Sequence, residues 1–588
     1  MHPVDLAIVG AFVVYALGSG LWARKRASRS LEDYFLAGRD LRGWMAGISM
    51  AATQFAADTP LIVMGLVATS GLFALWQLWS YGVAFLLLGF LFAPGWRRAR
   101  VITDAEFVEL RYSGTAAVWL RGVRALLFGV VFNAVVVAMV LYAAVIFAHG
   151  IALTNVPGWA IVAAIVALAL VYSTVGGLRS VVATDIMQFT LMMIATLLFA
   201  VLAVHAAGGL GSSATTLSGR LTQMASNGQL GGLTLRELFA LTPGQARDGS
   251  AGLVMVFALQ WLLQRNADGT GYLAQRTMAC RSDADARSAS VWFAFLQVGA
   301  RSLMWAPLAL ALLVLFPSEP GLIGVDYTLE REGSFVLGMR ELLPPGALGL
   351  MVTAMLAALA STIDTHLNWG SSYVANDLYG RLYCQALRGR EPERRRLVWV
   401  ARLGNVAILA FAAAVMTQLE SIQQAWKVTL VLGAGIGVPT VLRWIWWRMT
   451  AWGELASIVA SFAIAPVALE WGSSEAVRML GVAGAGTAAA IVASLVGPPN
   501  DPEKLRRFAE RVKPPGFWGG VIPGRGGPRE LARAFGATAA ASVSLFASLL
   551  AGLELLFPGM DGSPPWTGWA LLAVALAALP LWLPQLRR

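Results

Sequence analysis

The sequence predicts an all-α polytopic membrane protein. Three observations predict it: an excess of apolar residues, their grouping into spans, and a one-sided distribution of basic residues. Of 588 residues, 57% are hydrophobic and 13% charged, with a mean hydropathy of +0.66, which leaves more apolar surface than a soluble fold can bury. About fifteen apolar stretches are long enough to cross roughly 30 Å of hydrocarbon. If the chain changes sides at each crossing, 35 of the 44 Lys and Arg fall on one face and seven on the other, with Arg265 and Arg301 inside spans. The positive-inside rule then places the N-terminus outside and the C-terminus in the cytoplasm of a bacterial-type inner (plasma) membrane.

In chain order the expected spans are 5–23, 43–68, 71–95, 124–149, 157–175, 181–206, 249–274, 288–316, 345–378, 397–417, 422–446, 452–470, 477–496, 534–557 and 565–585. The pI near 10 does not point to nucleic acid, because the charges lie in short tracts between apolar segments rather than on one soluble face. The two cysteines, Cys280 and Cys384, fall in expected cytoplasmic loops, so no periplasmic disulfide is available. Residues 1–6 carry no basic n-region, and the first apolar run reads as an uncleaved span.

Four connections exceed short turns. Segment 101–121 is amphipathic and is expected to lie along the cytoplasmic face. The outer loops 208–249 and 317–344 are long enough to cover an entrance, and 498–533 reads as a cytoplasmic linker to two accessory spans. No soluble segment is large enough for an independent domain.

Two spans have polar interruptions. In GISMAATQFAADTPLIVMG at 47–65, Gln54, Asp58 and Pro60 interrupt the apolar run, and proline removes a backbone donor while clashing with the preceding turn. A break there frees carbonyls, which are natural cation ligands where they line a cavity; an ordinary proline kink is the alternative. QWLLQRNADGTGY at 260–272 repeats the theme, with Gly269 and Gly271 permitting unwinding. The two interrupted spans open successive groups of five spans of opposite orientation, the arrangement of an inverted-repeat transporter.

A third stretch, AALASTIDTHLNWGSSYVANDLYGR at 357–381, sets Ala358, Ser361, Thr362 and Thr365 at i, i+3, i+4 and i+7. A helix therefore presents their oxygens as one stripe. Asp364 and His366 lie beside it, and an ionisable residue at that depth needs a cavity or a partner. Hydroxyls that merely cap carbonyls and pack helices are the competing account.

EDYFLAGRDLRGWMAGISMAAT at 32–53, TDAEFVELRY at 103–112, YSTVGGLRSVVATDIMQ at 172–188 and LAQRTMACRSDADA at 273–286 occur in that order. Together with the 357–381 helix they resemble the sodium:solute symporters, a family of sugar, proline, pantothenate, sialic acid and iodide transporters. The likeness runs from about residue 5 to residue 450, and LRWIWWRMTAWGE at 442–454 resembles a bacterial branch of the family. It implies a leucine-transporter-type fold, a 5+5 inverted repeat with an extra N-terminal span and about four C-terminal spans. The parts are 1–42, repeat one at 43–206, repeat two at 207–448, and accessory spans at 449–588.

Carried onto this sequence, the family's common sodium site takes the carbonyls of Ala52, Phe55 and Ala358 and the hydroxyls of Ser361 and Thr362. An all-oxygen set suits a small hard cation. The second cation site of some members aligns to Asp185, Ser361, Asp364 and Thr365. The solute pocket falls at Gln54, Asp58, Thr59, Asn266 and Asp268. The sugar transporters place an aromatic gate where Asn266 stands and a glutamine where Thr59 stands, so a sugar is not favoured. Arg301 is expected to pair with an acid as a structural group.

The expected function is sodium-coupled symport of a small polar organic solute, with Na⁺ as coupling ion, no other cofactor, and the lipid bilayer as surroundings. A proton-coupled symporter is one alternative. A non-transporting receptor on the same fold is another, but it would need an output domain, and the chain ends in QLRR. Enzymatic chemistry is not expected, since there is no metal-spaced His pair and no nucleophile elbow among four His. The oligomeric state is left open.

Overall fold

The computed structural model describes residues 1–587 except 28–30, 152–155, 165–176, 211–215, 248, 320, 321, 323, 471–473 and 524–526. Every regular element among them is a helix. Eleven helices are long and apolar enough to cross a membrane, and the bent pair Gly43–Gln54 and Thr59–Ser70, counted as one span, makes a twelfth. Of the remaining expected crossings, 5–23 and 249–274 contain shorter described apolar runs, Pro3–Tyr15 and Leu253–Leu263. Most of 157–175, like the start of the motif at 172–188, lies outside the described residues.

The second span breaks where the sequence interrupts it. Helix Gly43–Gln54 ends, residues 55–58 leave the helix, and Thr59–Ser70 departs at 64°. Pro60 sits in the first turn of the second piece, where a missing N–H costs nothing. Span 249–274 breaks too: Ala251–Leu263 and Tyr272–Met278 are separated by residues 264–271. Gly269 and Gly271 hold φ of 85° and 103° there, a region that a side chain disfavours.

A close helix crossing seats the first half of the broken span. A Cβ at Gly47 would stand 2.6 Å from the Ala289 carbonyl, and one at Gly43 2.6 Å from the Asp285 carbonyl. The pair Gly43 and Gly47 thus lets the first half of the broken span lie against helix Asp283–Leu315, as small residues do where membrane helices touch.

Two connections depart from expectation. Segment 101–121 does not lie free on the membrane face: Phe107, Val108 and Arg111 of helix Glu106–Arg111 are buried, and Arg111 donates to the carbonyls of Arg443, Trp446 and Trp447. The supposed linker 498–533 supplies the cover. Helix Pro502–Val512 buries Leu505, Phe508, Ala509 and Val512, and Phe508 and Trp518 close over the Arg111 guanidinium. Within helix Glu106–Arg111 the apolar face is covered by protein. Of the two long loops, 208–249 folds into short helices Leu217–Ser226 and Leu235–Phe239, and 317–344 is largely helix Gly324–Leu342.

Candidate functional site

The oxygen stripe of helix Ala347–Leu387 packs against the end of Gly43–Gln54. Thr362 Oγ1 donates to the Thr53 carbonyl at 3.1 Å, and Ser361 Oγ donates to Asp185 Oδ1 at 2.7 Å. Both hydroxyls therefore reach other helices instead of capping their own carbonyls, as hydroxyls that join membrane helices also do. Ala52 and Phe55 flank the break. The Phe55 N–H is shared between the carbonyls of Ala51 and Ala52, while the Phe55 carbonyl accepts no hydrogen bond among the described residues. Ala52, Phe55, Ala358, Ser361 and Thr362 are all buried, and Thr362 reaches the carbonyl of the residue that follows Ala52.

Asp185, Ser361, Asp364 and Thr365 also converge, but a group the sequence reading did not include stands among them. Arg276 Nη2 donates to Thr365 Oγ1 at 2.9 Å and lies 3.8 Å from Asp185 Oδ2, the other side of which receives Ser49 Oγ at 2.5 Å. Asp364 Oδ1 is buried with no hydrogen-bond partner among the described residues. The cluster holds two carboxylates against one guanidinium, so one negative charge awaits a cation or a proton. Arg276 falls just beyond the expected span 249–274, so its burial among these acids was not signalled by the span pattern.

A cavity of about 210 Å³ opens beside both breaks. Gln54, Asp58, Thr59 and Asn266 line it, joined by Arg265, Tyr272, Arg301 and His366 and by the rings of Trp79, Trp305, Trp369 and Trp426. Hydrogen bonds tie its floor together. Tyr272 OH donates to Gln54 Oε1, Arg301 Nη1 donates to the Gln54 carbonyl at 2.9 Å, and His366 Nδ1 is hydrogen-bonded to Asn133 Oδ1. Arg301 does not form the acid pair expected of it; its guanidinium lies 4.2 Å from the Trp305 ring centre. Asp58 Oδ1 is buried and unpartnered among the described residues.

Asp268 does not line the cavity. Its carboxylate accepts from Arg443 Nε at 3.0 Å, Trp444 Nε1 at 2.7 Å and Thr270 Oγ1 at 2.7 Å, and its carbonyl takes Trp96 Nε1 at 2.8 Å. Arg124, bonded to Thr270 and to Glu454, extends the network. The expected place of Asp268 in the pocket is therefore corrected. The backbone turns at Gly269 sends it the other way, to an arginine 175 residues distant. This network of paired charges and tryptophans meets the cavity only at Thr270, which lines it and bonds Asp268, Arg443 and Arg124.

The pattern of the sodium:solute symporter family matches residues 34–460. The chain is 26% identical to the sodium/glucose cotransporter of Vibrio parahaemolyticus over 79% of its own length and 84% of the relative's. It is likewise 26% identical to the sodium/mannose cotransporter of Bos taurus, over 78% of each. Its fold is similar to that of a Na⁺-coupled sialic acid symporter in a substrate-bound outward-open state, with a TM-score of 0.66 and 20% identity over 85% of this chain and 99% of that one. The chain belongs to the sodium:solute symporter family, a family of membrane transporters whose coupling ion is Na⁺.

Proposed function

From that membership and the geometry of the breaks, we propose that the chain carries a small polar organic solute into the cell together with Na⁺ by alternating access. Na⁺ binds to the carbonyls of Ala52, Phe55 and Ala358 and the hydroxyls of Ser361 and Thr362, and the solute occupies the cavity at Gln54, Asp58, Thr59 and Asn266. The observation that carries this reading is the Phe55 carbonyl, left without a hydrogen bond at a helix break two residues from the Thr53 carbonyl that Thr362 reaches. A backbone carbonyl at that depth is retained where it has something to bind. A second monovalent cation, Na⁺ or a proton, balances Asp185 and Asp364 against Arg276. Residues 43–206 and 207–448 act as the two inverted halves, each opened by its broken span.

Orientation fixes the state. The cavity is lined by the first turns of helices Leu72–Ala99 and Ala425–Ile445, which face outward if the N-terminus is outside. The Asp268–Arg443–Trp444 layer then closes the cytoplasmic side, and transport requires it to part. The test is Ser361→Ala with Thr362→Ala in the purified protein. A ligand that binds the native state raises stability by mass action, so Na⁺ should raise the Tm of the wild type and leave the double variant unmoved. Equal Na⁺-dependent stabilisation in both proteins would remove these hydroxyls from the site.

A further inference from the structure

The cavity carries an imbalance of charge that the proposed function does not use. Its lining holds two guanidiniums, Arg265 and Arg301, and one carboxylate, Asp58. Arginine stays protonated in proteins, so the wall is electropositive by one charge. Among the described residues no carboxylate lies within ion-pairing distance of either arginine. Arg301 is partly engaged, through the Gln54 carbonyl and the Trp305 ring, although its Nε is buried without a partner. Arg265 is less engaged still: its guanidinium lies 4.5 Å from the Phe132 ring centre. Its stem passes Gly433, where a Cβ would come within 3.2 Å of the Arg265 Cβ. A ring on one side and a glycine on the other hold the side chain against the cavity wall with its hydrogen-bonding edge unpaired.

We propose that the solute carries a carboxylate, received by Arg265 through the two parallel hydrogen bonds that a guanidinium offers, and turns an amine or hydroxyl donor toward Asp58. This rests on the cavity being the solute site, as proposed above. A guanidinium left without a counter-charge in a mostly apolar wall is unfavourable until one arrives, and the anionic end of the solute supplies it. Asp58, with Oδ1 free, selects what the other end must be: a donor. The ligand class is therefore a small amino acid or polyhydroxy acid, not a neutral sugar.

The experiment is thermal stability of the purified full-length protein in sodium sulfate, in sodium chloride and in choline chloride. The added solutes are millimolar amino acids and sugar acids, each beside its carboxamide, and glucose. At least one carboxylate should raise the Tm in Na⁺ while its carboxamide does not. Arg265→Gln should weaken that solute about tenfold or more, the scale of hydrogen bonds to a charged group, and should keep the Na⁺-dependent shift. Arg265→Lys, which retains charge without the fork, should fall between the two. The assignment is overturned if no carboxylate stabilises the protein. It is overturned equally if carboxamides or glucose match the carboxylates, or if chloride alone stabilises the wild type and not Arg265→Gln. Loss of the Na⁺ shift in the wild type would instead count against the sodium reading, and so the two failures are distinguishable.

Discussion

Asp58 and Asp268 stand in the same local setting, an acid beside a break in an otherwise apolar helix, and the fold treats them oppositely. Around Asp268 every neighbour is a donor: Arg443, Thr270 and Trp444. Around Asp58 the nearest cation, Arg301, is turned to a carbonyl and a ring, and Oδ1 is left bare. Glu332, buried on helix Gly324–Leu342 against Gly65 of the outgoing half of the broken span, has no partner for either oxygen among the described residues. The difference teaches which charges are structural. A buried charge whose partners are all protein holds the fold, and one left short is where a ligand, ion or proton is met.

The largest effect should come from breaking the satisfied side. Arg443→Met leaves Asp268 and Glu454 without their shared cation, and removing one half of a buried pair costs about 3–5 kcal/mol. Thermal unfolding in detergent reads it, and a loss below about 1 kcal/mol would mean that the layer is not structural. Asp58→Asn should do the reverse. It should shift solute affinity by about tenfold with little change in Tm, and a Tm drop as large as that of Arg443→Met would erase the distinction between the two breaks.

The smallest effect is a pair of opposed pH dependences. Burial, helped by the nearby Asp58, pushes the Glu332 carboxyl up to about 7. The native state then holds this proton more tightly than the unfolded chain. Its contribution is present below the usual carboxylate range and is lost as pH rises through about 7. At Glu109, burial is outweighed by the hydrogen bonds from Arg381 and Arg121, which hold the carboxyl below its usual range. Its contribution is present above the ordinary glutamate value and is lost as pH falls through the lowered one. Melting curves across pH should lose the part of their fall in stability that lies between the usual carboxylate range and about 7 in Glu332→Gln, and part of their more acid slope in Glu109→Gln. Unchanged slopes would show that neither carboxyl differs between folded and unfolded states.

Much of the architecture was legible because membrane physics acts locally. Most apolar runs became long apolar helices, the Pro60 and Gly269–Gly271 interruptions became breaks, and the spacing from Ala358 to Thr365 sits on one helix. The fate of segment 101–121 was not legible. Amphipathicity states that one face is covered without stating by what, and the cover comes from Phe508 and Trp518, some 400 residues later in sequence.

The sequence by itself determined that this is an all-helical membrane protein of the sodium:solute symporter family, with hydroxyls and freed carbonyls available to a cation. Composition, period and ordered motifs are properties of the chain. Only the tertiary structure decided which charges meet. Arg276 enters the Asp185–Asp364 cluster, Arg443 takes Asp268 out of the cavity, and Arg265 faces the cavity without an acid. Each pairing depends on which faces of distant helices are turned together, and in a medium with little screening that orientation decides whether a charge is compensated by the protein or left for a ligand.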